Sequence, residues 1–294
     1  MPCKKRTRMI TFDLRDCRSL IHEIERETSP DYKKVDKLGF RLDSIAATVQ
    51  GKLPHPLLEV GKFSSGGPDF QSSRSKKPNS ALVKTLVAPT RFMSDAYLAF
   101  DLELTLKAGI YAGAYWEKHI DQADAAYYAK DFVNHFMTKQ GEMWYDDGGL
   151  SHAIKHSPEG QNLIKQISTE FKELMFAYGG NFDKVKLDQE NYKRTPSFSW
   201  SSSPTLKILV GGTQRLIVNL SAIFYNPKKC NWAALISVEI RDDFGVTEGD
   251  LTKASPAAKL GIGGLTDMWV LQHQRGKKPF TSVFNFSFFC YGDY

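Results

Sequence analysis

Cysteine is scarce in this chain of 294 residues: Cys3, Cys17, Cys230 and Cys290 stand apart, with no Cys-x-x-Cys pair. That spacing excludes a zinc ribbon, a dithiol redox motif and a disulfide-stapled scaffold. Reduced thiols are expected in a chain that folds in a cytoplasm, with a Cys230–Cys290 bridge left open after export. Glycine and proline, at 22 and 13 residues, are too few for a collagen-like or low-complexity architecture. No run of the ~20 apolar residues that a bilayer core demands occurs. The most apolar stretch, 98–116, is interrupted by Asp101, Glu103 and Lys107, which predicts a buried helix instead. The basic start Met-Pro-Cys-Lys-Lys-Arg is not followed by the ~7–15 apolar residues of a secretory signal, because Asp13, Arg15, Asp16 and Arg18 intervene. No Gly-x-Ser-x-Gly elbow, kinase set or aromatic RNA-binding signature is present. Asp243-Phe244-Gly245 matches a kinase triplet without the other kinase parts, so it carries no kinase reading.

What the chain does contain is a core and an uneven charge. Apolar residues make up 41% of it, enough to exclude wholesale disorder. The net charge of +6 is localised: residues 1–90 carry 17 basic and 10 acidic side chains, and residues 91–294 carry 22 and 23. A basic N-terminal segment can dock on an acidic partner, an anionic lipid or a nucleic acid. A solubilising or docking role is favoured here over nucleic acid, since no nucleic-acid motif accompanies the charge. Within the segment, residues 51–80 are rich in Ser, Gly and Pro and read as a loop or linker.

The remaining chain divides by periodicity into a helical region, 91–190, and a β region, 191–294, expected to form one domain. Residues 94–137 read as helical, with Ser94 or Asp95 as N-cap and Ala125, Ala129, Phe132, Val133 and Phe136 on one apolar face. Ser157-Pro158-Glu159 supplies cap, first-turn proline and favourable charge for a second helix. Leu163, Ile167, Phe171 and Leu174 then recur at helical spacing, and Gly179-Gly180 ends the segment. After a polar loop over 191–204 the period becomes two. Leu216 to Phe224, Trp232 to Ile240 and Phe284 to Phe288 alternate as antiparallel strands with one buried face, with one helix inserted over 265–275. The fold class expected is α+β, a helical N-terminal and middle region packed on a C-terminal antiparallel β-sheet.

Three constellations could carry chemistry. Asp124, Asp131 and His135 share a helix face, where a carboxylate one turn from a histidine can orient the ring for general-base work. The same spacing also suits an ordinary surface pair. His152 and His156, one turn apart with Asp146 and Asp147 upstream, are candidate metal ligands, although the general-base glutamate of a His-Glu-x-x-His site is absent. Gly261-Ile262-Gly263-Gly264 precedes a helix but lacks the βαβ context of a nucleotide loop, so a flexible helix entry is expected. Gly109 and Gly113 give a Gly-x-x-x-Gly spacing that permits close helix contact.

The C-terminal region holds a denser pattern: Asp242-Asp243-Phe244-Gly245-Val246, then Glu248-Gly249-Asp250-Leu251, Trp269-Val270-Leu271-Gln272-His273 and Lys278-Pro279-Phe280. This resembles the C-terminal signature of the DUF3289 family of bacterial proteins. There a strand ends in an Asp-x-Phe-Gly turn, a helix carries Trp and Leu-Gln, and Lys-Pro-Phe opens the last strand. Asn134-His135-Phe136 and His156-Ser157-Pro158 fit the family pattern more loosely, so the resemblance spans 131–288. It departs at 255–264, which looks like an insertion, and does not reach the N-terminal third. The resemblance implies a type VI secretion context and an antibacterial effector. Such a protein would be made in the bacterial cytoplasm, exported without a Sec signal and active in a target cell. Its partners would be a secretion apparatus or adaptor, a bacterial envelope component and a cognate immunity protein.

Physically, Gly245, Trp269, Leu271 and Pro279 can be architectural, as turn, helix anchors and strand start. The functional reading has Asp243, Asp250, His273 and Arg275 converge at one rim of the sheet, where they would serve a hydrolase acting on a phosphate- or sugar-containing envelope substrate. Two rival readings are a membrane-active, pore-forming toxin built on 98–116 and a non-enzymatic module that docks on the secretion apparatus through its first ninety residues. No cofactor is indicated by any motif.

Overall fold

A computed structural model of the protein describes residues 55–61, 71–114, 122–193, 195–226, 231–253 and 263–293. The expectations for residues 1–54, for the turn at 227–229, for most of 255–264 and for Cys3, Cys17 and Cys230 lie outside the described residues. Cys290 is a buried free thiol, and burial pushes its pKa up to about 11.

Three long strands form the centre. Strands β3 (Arg215–Asn226), β4 (Asn231–Phe244) and β5 (Phe280–Asp293) pair antiparallel in sequence order. Their alternating apolar residues make one face continuous with the core: Leu216, Val218, Ile236, Val238, Ile240, Phe284 and Phe288 are all buried. In β4 the pattern changes along the strand. Residues from Asn231 to Ile236 are buried without alternation, and from Ser237 onward residues alternate between buried and partly exposed as far as Asp243, so the second face is covered only along the first half of the strand.

Two further strands were not expected. Strand β1 (His55–Gly61) pairs antiparallel with β3 and forms one edge. Residues 51–80 are therefore not loop throughout. Leu57 and Leu58 are buried, and Pro56 is tolerated because an edge strand has a side that owes no ladder hydrogen bond. At the opposite edge β2 (Trp144–Tyr145) pairs parallel with β5. The sheet order is β1-β3-β4-β5-β2, an antiparallel sheet with one short parallel addition.

Eight α-helices surround it among the described residues. They are α1 (Ala81–Val87), α2 (Asp95–Ala114), α3 (Gln122–Thr138), α4 (Gly149–His156), α5 (Pro158–Ala177), α6 (Pro204–Leu209), α7 (Glu248–Lys253) and α8 (Gly263–His273). The fold is α+β, as the change of period predicts. Residues 94–137 supply two helices, and Ser94 caps α2 by accepting from the Tyr97 amide at 3.2 Å. Ser157 separates α4 from α5. Its hydroxyl donates to the Ile154 carbonyl at 2.8 Å and accepts from the Gly160 amide at 3.0 Å. Gly160 must lack a side chain there, since a Cβ would lie 1.8 Å from the Ile154 carbonyl oxygen. The end of α5 is the expected glycine stop, with Gly179 and Gly180 at positive φ and the Gly180 amide bonded to the Met175 carbonyl.

Aromatic packing joins the helices to the sheet. Phe132 of α3 meets Trp144, Phe244 and Phe280 edge-on at 4.6, 5.3 and 5.6 Å between ring centroids. Phe171 of α5 stands edge-on to Trp232 at the other end of β4. Phe132→Ala removes the ring shared by three elements. It is expected to cost ~3–5 kcal/mol, read as a lower urea midpoint at unchanged slope.

Candidate functional site

The expected residues are present, but most of them hold the fold together. Asp131 accepts from the Trp144 indole at 2.6 Å, and His135 Nε2 donates to the Glu142 carbonyl at 2.7 Å while its ring packs on Phe280. Both side chains therefore tie α3 to β2 and β5, each through its own partner. The side chain of Asp124 lies outside the described residues. His152 and His156 do face one another, with ring centroids 4.3 Å apart. The two upstream carboxylates are engaged elsewhere: Asp146 accepts from the Leu150 and Ser151 amides, and Asp147 from the Tyr128 hydroxyl and the Gly149 amide. Those bonds cap α4, and the Tyr128 hydroxyl is the main cause of a lowered pKa at Asp147. Among the described residues no group of three or more His, Cys, Asp or Glu could hold a metal ion.

The four C-terminal candidates are likewise held by separate partners. Asp243 accepts from the Thr281 hydroxyl at 3.1 Å, across the β4–β5 ladder. Asp250, in the first turn of α7, accepts from the Thr247 amide and hydroxyl, both at 2.7 Å. His273 is buried at the end of α8 with Nε2 2.8 Å from the Val246 carbonyl. A carbonyl only accepts, so Nε2 carries the proton. Burial above all, assisted by Lys76, lowers the pKa of this histidine, so it stays neutral. Neighbouring Gln272 works the same join. It accepts from the Val246 amide at 3.0 Å and donates to the Gln71 carbonyl at 3.0 Å. The Trp269 and Leu271 anchors are fully buried, and the helix they fix lies chiefly against α2, α1 and α7.

Arg275 is different. It is exposed, donates to the carbonyls of Arg91 and Met93 at 3.0 and 3.2 Å, and sits 3.6 Å from Asp95. It also lines a cavity of about 540 Å³ together with Lys76, Lys77, Lys84 and Arg91. Asp243, Asp250 and His273 do not reach that cavity. Its remaining described walls are Ser75, Pro78, Val87, Phe92 and Gln274, so among the described residues no carboxylate and no imidazole lines it. Among the described residues, Lys76, Lys77 and Lys84 pair with no acid.

This concentration of charge follows from helix-end chemistry. The last carbonyls of α8 have no partner within the helix. The backbone amides of Ser73, Ser75 and Lys76 supply one each, bonding the carbonyls of Gln272, Gln274 and His273 at 3.1, 3.1 and 2.8 Å. That strap fixes Lys76 and Lys77 beside the negative end of the α8 dipole, where cations are favoured. Gly276, at φ 78°, lets the chain turn directly under Arg74, where a Cβ would lie 2.9 Å from Arg74 Cγ. The cluster was missed because four of its cations come from residues 76–91, part of which reads as linker, and the fifth lies far along the chain.

A second missed group is interior. Asp267 of α8 is fully buried and faces Asp101 of α2. Burial first, and the second carboxyl next, push its pKa up to about 8, so it is protonated at neutral pH. No family model, no curated protein and no solved structure matches this chain, so its own geometry carries the functional argument.

Because the folded pKa of Asp267 is raised, its contribution favours the fold below about pH 4 and is lost as pH climbs through about 8. Asp267→Asn, which keeps the shape without the charge, is expected to be more stable than the parent by ~2–5 kcal/mol at pH 8. The gain should shrink steadily toward pH 4, followed by denaturant unfolding across that range. A gain independent of pH would show that the carboxyl does not titrate with folding.

Proposed function

We propose that this chain acts at the bacterial cell envelope, as an effector-like protein that binds a phosphate-bearing anionic component there. The observation that carries this reading is the cavity at the end of α8, with five cations and no carboxylate among its described wall residues, Asp95 meeting Arg275 from outside them. Two features fit it to phosphate. Guanidinium groups match tetrahedral and planar oxyanions in geometry, and lysines with no acid partner among the described residues add point charge without needing a fixed approach. The type VI secretion context, the export route and an immunity partner rest on the resemblance to the DUF3289 pattern over 131–288.

Binding is favoured over hydrolysis at this cavity. General acid–base chemistry needs a carboxyl or imidazole at the reacting atom, and the polar side chains of the described walls are lysines, arginines, Ser75 and Gln274. His273, the nearest imidazole in sequence, is buried and tied to Val246.

Calorimetric titration with inorganic pyrophosphate tests the reading. Binding should weaken as ionic strength rises, because several exposed cations contribute. The double variant Lys84→Glu, Arg91→Glu should lose at least ~2 kcal/mol, more than tenfold in Kd, since charge-assisted bonds contribute ~1.5–3 kcal/mol each. Pyrophosphate binding that is absent, or unchanged in the variant, would remove the cavity as the site. Growth of a susceptible bacterium producing the protein with and without periplasmic targeting tests the effector role, and harmlessness in both compartments would end it.

A further inference from the structure

Helix α2 is apolar on two opposite faces. Its inner face is taken: Leu98, Leu102 and Ile110 are buried, Gly264 of α8 packs against Thr105, and Gly109 packs against Ile208 of α6. Its outer face is not. Tyr97, Phe100, Leu104 and Tyr111, spaced by three, four and seven residues, fall on one stripe and are 50%, 63%, 52% and 49% exposed. The stripe runs ~20 Å along the helix at 1.5 Å per residue. Exposed apolar patches of this kind on a folded chain mark a binding surface.

The stripe leads into the cationic cavity. Phe92, just before α2, lines that cavity, is 77% exposed and lies under the Arg91 guanidinium at 4.4 Å. Arg275 of the cavity grips the carbonyls of Arg91 and Met93 at the start of α2. On the flank of the stripe Glu103 is neutralised by an ion pair with Lys107. Arg275 meets Asp95, but Lys76, Lys77 and Lys84 meet no acid among the described residues, so a surplus of positive charge sits at one end of a row of tyrosine, phenylalanine and leucine.

We infer that this combined surface lies on an anionic phospholipid bilayer, with a lipid phosphate in the cavity and the α2 stripe in the interface between headgroups and acyl chains. The inference rests on the reading of the cavity as an anion site and names the source of the anion. Charge complementarity selects the partner. An anionic leaflet offers phosphate to the cations and apolar depth to the stripe at once, and amphipathic tyrosines are suited to the level of the headgroups. A soluble anion would leave the stripe uncovered. Among the described residues no helix is long and apolar enough to cross a membrane, so the contact is peripheral, with α2 parallel to the surface. This differs from a pore formed by 98–116, because the inner face of α2 stays committed to α3, α6 and α8.

Co-sedimentation with vesicles tests it, using pure phosphatidylcholine against a mixture containing phosphatidylglycerol, with pyrophosphate titrated in parallel. The protein should sediment with the mixed vesicles and not with the neutral ones. Phe100→Ser, Leu104→Ser should weaken vesicle binding roughly tenfold or more, through lost apolar burial, while leaving pyrophosphate affinity and the melting temperature unchanged. Lys84→Glu, Arg91→Glu should weaken both more than tenfold, since near an anionic surface each of the two cations contributes roughly a fivefold change in affinity. Pyrophosphate binding without vesicle binding would overturn the membrane inference and leave the anion site standing. Loss of both ligands in the parent would overturn the two together. A parent dimer in sedimentation velocity that the stripe variant dissolves would assign the stripe to a second copy. Uptake by duplex DNA that the stripe variant leaves unchanged would assign the cations to nucleic acid. Either result would overturn the inference.

Discussion

The carbonyls at the C-terminal end of α8 are the constraint on which the rest of the candidate site depends. A helix that ends inside a protein must find donors for them, and here the backbone of residues 73–76 supplies two, with a third amide bonding the carbonyl of Gln274 just beyond. That requirement brings a segment from near the start of the described chain against a helix from near its end. Lys76 and Lys77 arrive with the strap, and the α8 dipole favours them there. Arg275, two residues past the helix, then takes the carbonyls of Arg91 and Met93, which adds the entry to α2 to the same cluster. The cavity is thus a by-product of backbone satisfaction, with the choice of lysine and arginine at its walls giving it a sign.

The same join explains why the residues that look most chemical are architectural. His273 and Gln272 sit where α8, the strap and the end of β4 meet, and both are aimed at Val246. A histidine held neutral by burial, with its proton on the nitrogen facing a carbonyl, is a hydrogen-bond donor of fixed direction. Asp250 and Asp146 serve helix starts, where a carboxylate accepts orphaned amides, and Asp131 holds an indole. Titratable groups at recurring positions answer two demands, and here the demand for directed hydrogen bonds accounts for their geometry.

Much of the fold was legible in the residues. The cap and stop of α5 are local chemistry, written in Ser157-Pro158-Glu159 and Gly179-Gly180, and the three long strands declare themselves by a period of two, which β4 keeps only beyond Ile236. What was not legible lacks a local code. Strand β1 has Pro56 inside it and only a short apolar run, so its pairing with β3 is decided by the exposed ladder of β3. Strand β2 is two residues long and exists because Phe132 and Phe284 receive Trp144. The Asp101–Asp267 contact and the cationic cavity each join residues far apart in sequence, and no spacing rule reaches them. Side-chain role was less legible than backbone form, because an i,i+4 pair fixes which face two residues share and not what that face meets.

Helix α2 shows how such long-range contacts decide what remains exposed. Its inner face is fixed at close range on two sides, by Thr105 against Gly264 and by Gly109 against Ile208. Contacts that tight leave no freedom to rotate the helix about its axis, since a turn that hid Phe100 would drive Leu102 or Leu98 out of the core. Exposing two buried leucines costs ~3–6 kcal/mol, more than covering one partly exposed ring returns. The outer stripe is therefore held in the open by the packing of the opposite face. An apolar helix that cannot turn inward can lower its free energy by meeting another apolar phase, and the surplus of cations at its entry, five against Asp95, favours an anionic surface.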